Sequence, residues 1–154
     1  MLRKTIGRIL KMGTLVSTWG LITTVLLQIF FRFSPLQTPP WTEEASRLFF
    51  IYAMSFAAGL AMKSAYFVHL DMFFDRLPLR WQRFLNKGIP VINFLLFAIM
   101  ALFSIKLVLL GIPEKSPSMG FNMGVAFFSM FVMSASICYY LWIKIRKSFK
   151  SSEP

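Results

Sequence analysis

Residues 41–62 read WTEEASRLFFIYAMSFAAGLAM. Two adjacent glutamates and an arginine open the stretch, and from Leu48 to Met62 no charge follows. The chain holds only 6 acidic residues, so two of them side by side at the start of an apolar run are informative. Thr42 is placed to cap a helix, with Glu43 and Glu44 in its first turn, where carboxylates meet the positive end of the helix dipole. Glu43 and Arg47 stand four apart in the favourable order for a helical ion pair. The stretch therefore reads as a charged helix start followed by a membrane-spanning segment.

Similar apolar runs recur across the 154 residues, of which 56% are hydrophobic and 15% charged. Runs of about 20 residues suffice to cross a hydrocarbon core of about 30 Å. Spans are expected at about 12–33, 47–66, 89–112 and 119–143, with Pro90 in the first turn of the third. The expected fold is all-α: one polytopic membrane domain over residues 1–154, with four transmembrane helices. The N-terminal MLRKTIGRILK is basic like a signal peptide, but the apolar run after it is long and no A-x-A site follows. It reads as an uncleaved first helix.

The formal net charge of +11 does not point to nucleic acid. The basic residues gather at the ends of apolar runs, where lipid head groups are met, and no nucleic-acid motif lies among them. Arg3, Lys4, Arg8 and Lys11 precede span one. Lys63, Arg76, Arg80, Arg83 and Lys87 lie between spans two and three, and Lys144, Arg146, Lys147 and Lys150 follow span four. The opposite side has only Arg32, Arg47 and Lys115. Both termini are therefore expected in the cytoplasm. The connector 67–87, FVHLDMFFDRLPLRWQRFLNK, alternates apolar bulk with charge. It reads as two short interfacial amphipathic helices, kinked or broken at Pro78, serving as a bundle anchor or as a ledge for a partner protein.

Each remaining constellation has a structural and a functional reading. Ala53, Ala57, Ala61 and Ala65 fall four apart and form a small-residue ridge on which another helix can pack closely. Alanine is also common in membrane helices for no such reason. Gly120 and Gly124 form a G-x-x-x-G that is either packing or a flexible helix start. Glu43, Glu44 and Arg47 are either a helix start alone or also a charged contact for another protein. Cys138 reads as a small buried hydrophobe. No Asp or Glu falls deep in a span, which disfavours a proton-coupled carrier such as a small multidrug antiporter. A single histidine, His69, rules out bis-histidine haem ligation within the chain. His69, Asp71 and Asp75 match no metal-ligand spacing. No catalytic, metal or cofactor site is expected, and the residues read as an accessory membrane subunit.

The core WTEEASRLFFIYAMSFAAGLAMKSAYFVHLDMFFDRLP, residues 41–78, resembles the small membrane subunit of tripartite ATP-independent periplasmic (TRAP) transporters, the DctQ-like family. Trp41, Glu43, Glu44 and Arg47 match its approach to span two. Lys63 matches a basic position, and Asp71, Leu77 and Pro78 match the exit. Ala57 stands where glycine is usual. With Asp71 aligned, the family histidine falls on Phe67, and His69 lies two residues later, so no role passes to it. SPSMGFNMG, at the start of span four, is also similar to the family. The resemblance implies a non-catalytic scaffold in the bacterial inner membrane. Its partners would be a large many-span subunit, where sodium ions bind, and a periplasmic substrate-binding protein that delivers an organic acid. Trp41, Glu43, Glu44 and Arg47 would help form the docking surface. The alternative is a membrane anchor subunit of a redox enzyme complex, sharing a haem or quinone with its partner.

Overall fold

The computed structural model describes residues 2–34, 39–63 and 79–150. It is all-α, with helices α1 (Leu2–Phe33), α2 (Trp41–Lys63), α3 (Leu79–Gly111) and α4 (Met123–Lys150). All four are long and apolar enough to cross a membrane. The connector 64–78, with Ala65, His69, Asp71, Asp75 and Pro78, lies outside the described residues.

The helices outrun the expected spans. α1 has 32 residues and takes in the whole basic N-terminal stretch, because Lys and Arg are good helix formers once the apolar run has nucleated the helix. α3 begins at Leu79, so residues 79–87 are the first turns of the third helix rather than a separate segment. Pro90 is consequently inside α3, not in its first turn. It has no N–H to offer the Asn86 carbonyl, one turn back. α4 starts at Met123, later than expected, because residues 116–122 form a turn.

The principal contacts are α1 with α2, α2 with α4, and α4 with α3, so the helices stand in the order α1–α2–α4–α3. Glycines set the first seam. Phe49, Phe56 and Lys63, each seven apart on α2, lie against Gly20, Gly13 and Gly7 of α1. A Cβ at Gly20 would meet the Phe49 ring at 2.6 Å, and one at Gly13 the Phe56 ring at 2.8 Å. These rings fit only because α1 has no side chain there. The seam is absent from the sequence reading, which looked for small residues on α2 and not for large ones seated on glycines.

Gly59 marks where three helices meet, since a Cβ there would run into Ser136 of α4 and Leu10 of α1. Ser129, Ser134 and Ser136 are buried on α4 and return their hydroxyls to Ala126, Met130 and Met133 carbonyls at 2.7–2.8 Å. Their polarity is thus satisfied within the helix while their small size lets α2 come close. Across the α3–α4 seam, a Cβ on Gly124 would lie 2.9 Å from the Val108 carbonyl oxygen, and one on Gly111 2.7 Å from the Gly124 nitrogen. The two backbones touch there. Gly120 does something different: its φ of 69° is left-handed, and nothing lies near it. G-x-x-x-G is therefore one packing glycine and one turn glycine, not a helix-dimer motif.

The contrast is testable by thermal unfolding in detergent. Gly124→Leu should destabilise the protein by about 1–3 kcal/mol or more, since backbone cannot yield as a side chain can. Gly88→Ala, on a helix with open space around it, should be neutral or slightly stabilising. Equal effects at both positions would dismiss the close seam.

Candidate functional site

The end of α1, the start of α2 with Glu44, and the α3–α4 turn share one end of the molecule. Here the start of α2 is built differently from the expected cap. Thr42 is fully buried, and its N–H and hydroxyl both donate to the Pro39 carbonyl, at 3.1 and 2.8 Å. Its hydroxyl is a donor inside the first turn rather than an acceptor before it. The reason is the preceding Pro39-Pro40, which starts the helix earlier: Pro40 is suited to a first helical position, and its missing N–H is no loss there. Gln28 of α1 donates its side-chain amide to the Thr42 carbonyl at 2.8 Å. A polar side chain of α1 thereby ties the two helices together.

Glu44 makes the central contact. Its carboxylate accepts the Ser116 hydroxyl, the Ser118 N–H at 3.0 Å and the Met119 N–H at 2.9 Å. The turn that supplies these donors follows from its sequence. Gly120 N–H bonds the Ser116 carbonyl at 3.1 Å, closing a single helical turn over Ser116–Gly120. Pro117 sits at its first position, and Gly120 takes the left-handed angle that ends it. Ser116 N–H bonds Phe121, Met123 N–H bonds Glu114, and Lys115 pairs with Asn122, so the turn is stapled at its base. In an ordinary capped turn the serine oxygen would accept from the next free N–H groups. Here the Ser116 hydroxyl donates instead, and the Glu44 carboxylate replaces it as the acceptor for Ser118 and Met119. All three bonds run toward the carboxylate, which is the arrangement an ionised acid requires.

The neighbouring residues behave otherwise. Glu43 and Arg47 are exposed, and among the described residues no ion pair joins them. The expected i,i+4 pair is not formed, in keeping with the small gain from an exposed pair and the entropy of holding two long side chains. Trp41 is exposed at the helix start. Beside Glu44 a half-open cleft of about 290 Å³ runs between Leu48 and Ile51 of α2 and Phe121, Met123 and Ala126, with Arg47 among its lining residues. Tyr52 closes the α2–α4 contact by donating its hydroxyl to the Val125 carbonyl at 2.7 Å.

Other singled-out residues lie elsewhere. Ala53 is buried, whereas Ala57 and Ala61 are half-buried. A four-residue step drifts roughly 40° around a helix, so the ridge turns away from the α1 side as it descends. Lys63 is at the far end, on Gly7. Cys138 is half-buried, its sulfur 3.9 Å from the Phe94 carbonyl. Among the described residues no group of three or more His, Cys, Asp or Glu side chains could hold a metal ion.

WTEE and SPSM, the two stretches joined at Glu44, are far apart in sequence, yet both lie within the part of the chain that a known family covers. The family model for tripartite ATP-independent periplasmic transporters, DctQ component, matches residues 21–151. The chain belongs to this family. It is a small membrane component of such a transporter, and its helical architecture agrees with that place. Among curated proteins none matches it. Glu44 thus joins the stretches 41–47 and 116–124 in one contact. Sequence reasoning found both stretches but not their union. The available signal was a lone run of Ser-Pro-Ser-Met-Gly donors facing a chain with very few acids.

Glu44→Gln should lower the thermal midpoint, and Glu43→Gln should leave it unchanged. Adding Ser116→Ala to Glu44→Gln should cost little more, because both remove the same contact. Additive losses would mean that Ser116 and Glu44 act separately.

Proposed function

We propose that this DctQ component braces the large subunit of a sodium-coupled importer of an organic acid and offers its Glu44 end to the periplasmic binding protein. The observation that carries the reading is the Glu44 contact. It fastens the α3–α4 turn to the start of α2 and leaves Trp41, Glu43 and Arg47 exposed around it. Docking then falls to these three, while Glu44 holds the surface in shape. Ala57 and Ala61 share the freer side of α2 with the exposed Phe50 and Met54. On this reading Ala53, Ala57, Ala61 and Ala65 form a path along which a helix of the large subunit lies, with Ala53 at its inner edge. Lys63 ends α2 on the cytoplasmic side in this reading, and Asp71 and Pro78, which belong to the same family motif, lie outside the described residues. The exposed α3 side bearing Ile92, Leu95, Ile99 and Leu102 offers a second broad apolar surface.

Orientation is checked first. In a Cys138→Ser background, a cysteine replacing Ser118 should react with an impermeant reagent in intact cells. One replacing Ser151 should react only after permeabilisation. External labelling at Ser151 would reverse the docking face.

The functional test uses cells with all three components. Glu43→Gln with Arg47→Gln should reduce sodium-dependent uptake at limiting binding protein while co-purification with the large subunit is retained. Raising salt should weaken wild-type docking, since exposed charges are screened beyond about 8–10 Å. Ala57→Leu should instead reduce co-purification. Normal uptake and normal co-purification in these variants would remove both roles, and a haem spectrum in the purified complex would favour a redox anchor.

A further inference from the structure

At the end opposite Glu44, α2 reaches Lys63, whose ammonium lies over the Gly7 backbone of α1 and whose Cε would stand 2.9 Å from a Cβ there. Lys4 and Lys11 fall three residues before and four after Gly7, on the neighbouring part of the same helix face. Arg8 adjoins them. Lys4, Arg8 and Lys11 are exposed and Lys63 is half-buried. Like charges gathered in this way repel one another unless an anion is present. The acids among the described residues, Glu43, Glu44 and Glu114, all belong to the other end.

Depth identifies the anion. From Thr42 to Lys63 the helix rises about 30 Å, the thickness of a hydrocarbon core. With Thr42 at one boundary, Lys63 stands at the other, level with lipid phosphates. Below the cations, Met12, Leu15 and Trp19 continue the same side of α1, all exposed. We propose that Lys4, Arg8, Lys11 and Lys63 form a site for the head group of one anionic phospholipid, whose acyl chains lie along Met12, Leu15 and Trp19. The glycine at position 7 is what lets Lys63 cross from α2 to join the three α1 cations. Two hairpin helices would thereby be bridged by lipid at this end.

The test is native mass spectrometry of the full chain in a neutral detergent, titrated with phosphatidylglycerol or with phosphatidylcholine of identical acyl chains. The wild type should bind the anionic lipid at least about tenfold more tightly. Each basic residue at a head-group layer contributes roughly fivefold. Lys4→Gln with Lys11→Gln should therefore lower affinity about 25-fold, and Arg8→Gln alone about fivefold. Lys144→Gln with Arg146→Gln removes the same charge from α4 and should change affinity less than about threefold. An unchanged elution profile on size exclusion shows that the exposed substitutions leave the fold intact. Equal losses in the α1 and α4 double variants would reduce the site to diffuse attraction and overturn the proposal. So would competition by millimolar inorganic phosphate, which would make it a soluble-anion site. A preference for phosphatidylglycerol that is missing in the wild type but emerges in Asp71→Asn with Asp75→Asn would assign the cations to the connector's own carboxylates.

Discussion

In a bilayer, apolar side chains gain nothing by leaving lipid for one another, so helices hold together only where their surfaces fit closely. That constraint governs this protein, and α2 shows both ways of meeting it. It is packed from two sides, by α1 and by α4. Toward α1, α2 presents large groups that settle on glycines. Toward α4, Gly59 meets a serine, and small faces small. Since α3 packs on α4, losing the α2–α4 fit would separate the chain into two helical hairpins.

Polar ties then lock what packing brings together, and they concentrate at one end. Gln28 joins α1 to α2, Tyr52 joins α2 to α4, and Glu44 joins α2 to the α3–α4 turn. Gln28 and Tyr52 donate to carbonyls in the first turns of α2 and α4, and Glu44 accepts N–H groups of the α3–α4 turn. The apolar interior needs no such ties, because its serines bond within their own helices. The Glu44 end is therefore the more defined surface, and the midsection is a surface of shape alone.

The four helices were legible because length and hydropathy decide what crosses a membrane, and the DctQ resemblance was legible in short stretches of unusual composition. Boundaries were less so. Charge marks where lipid ends, not where a helix ends, so α1 and α3 continue past their apolar runs. The site was half legible. Glu43 and Glu44 look equivalent in sequence, yet one is exposed and the other accepts three hydrogen bonds. Only the arc of α2 facing residues 116–119 distinguishes them, and that arc is fixed by packing between residues more than 70 positions apart. The glycine seam was hidden for a related reason: Gly7, Gly13 and Gly20 show no four-residue repeat, and their meaning lies in the seven-residue spacing of Phe49, Phe56 and Lys63 on another helix.

A scaffold must pass force between its partners without deforming. Two hairpins joined only by small-on-small packing could slide along their shared seam, because such a seam has weak barriers to translation. A carboxylate that accepts a hydroxyl and two adjacent N–H groups fixes position along that seam and rotation about it at once, since its donors come from one stapled turn. The same turn ends at Gly120, whose left-handed backbone turns the chain so that Ser116 N–H meets the Phe121 carbonyl, and it leads into Gly124, where α4 touches α3. Glu44 therefore registers α2 against both helices of the second hairpin through a single turn. That explains why an acid is worth keeping at this place in a chain that has almost none: a neutral amide in its position would offer one acceptor oxygen for three donors and would leave the two hairpins in contact but not in register.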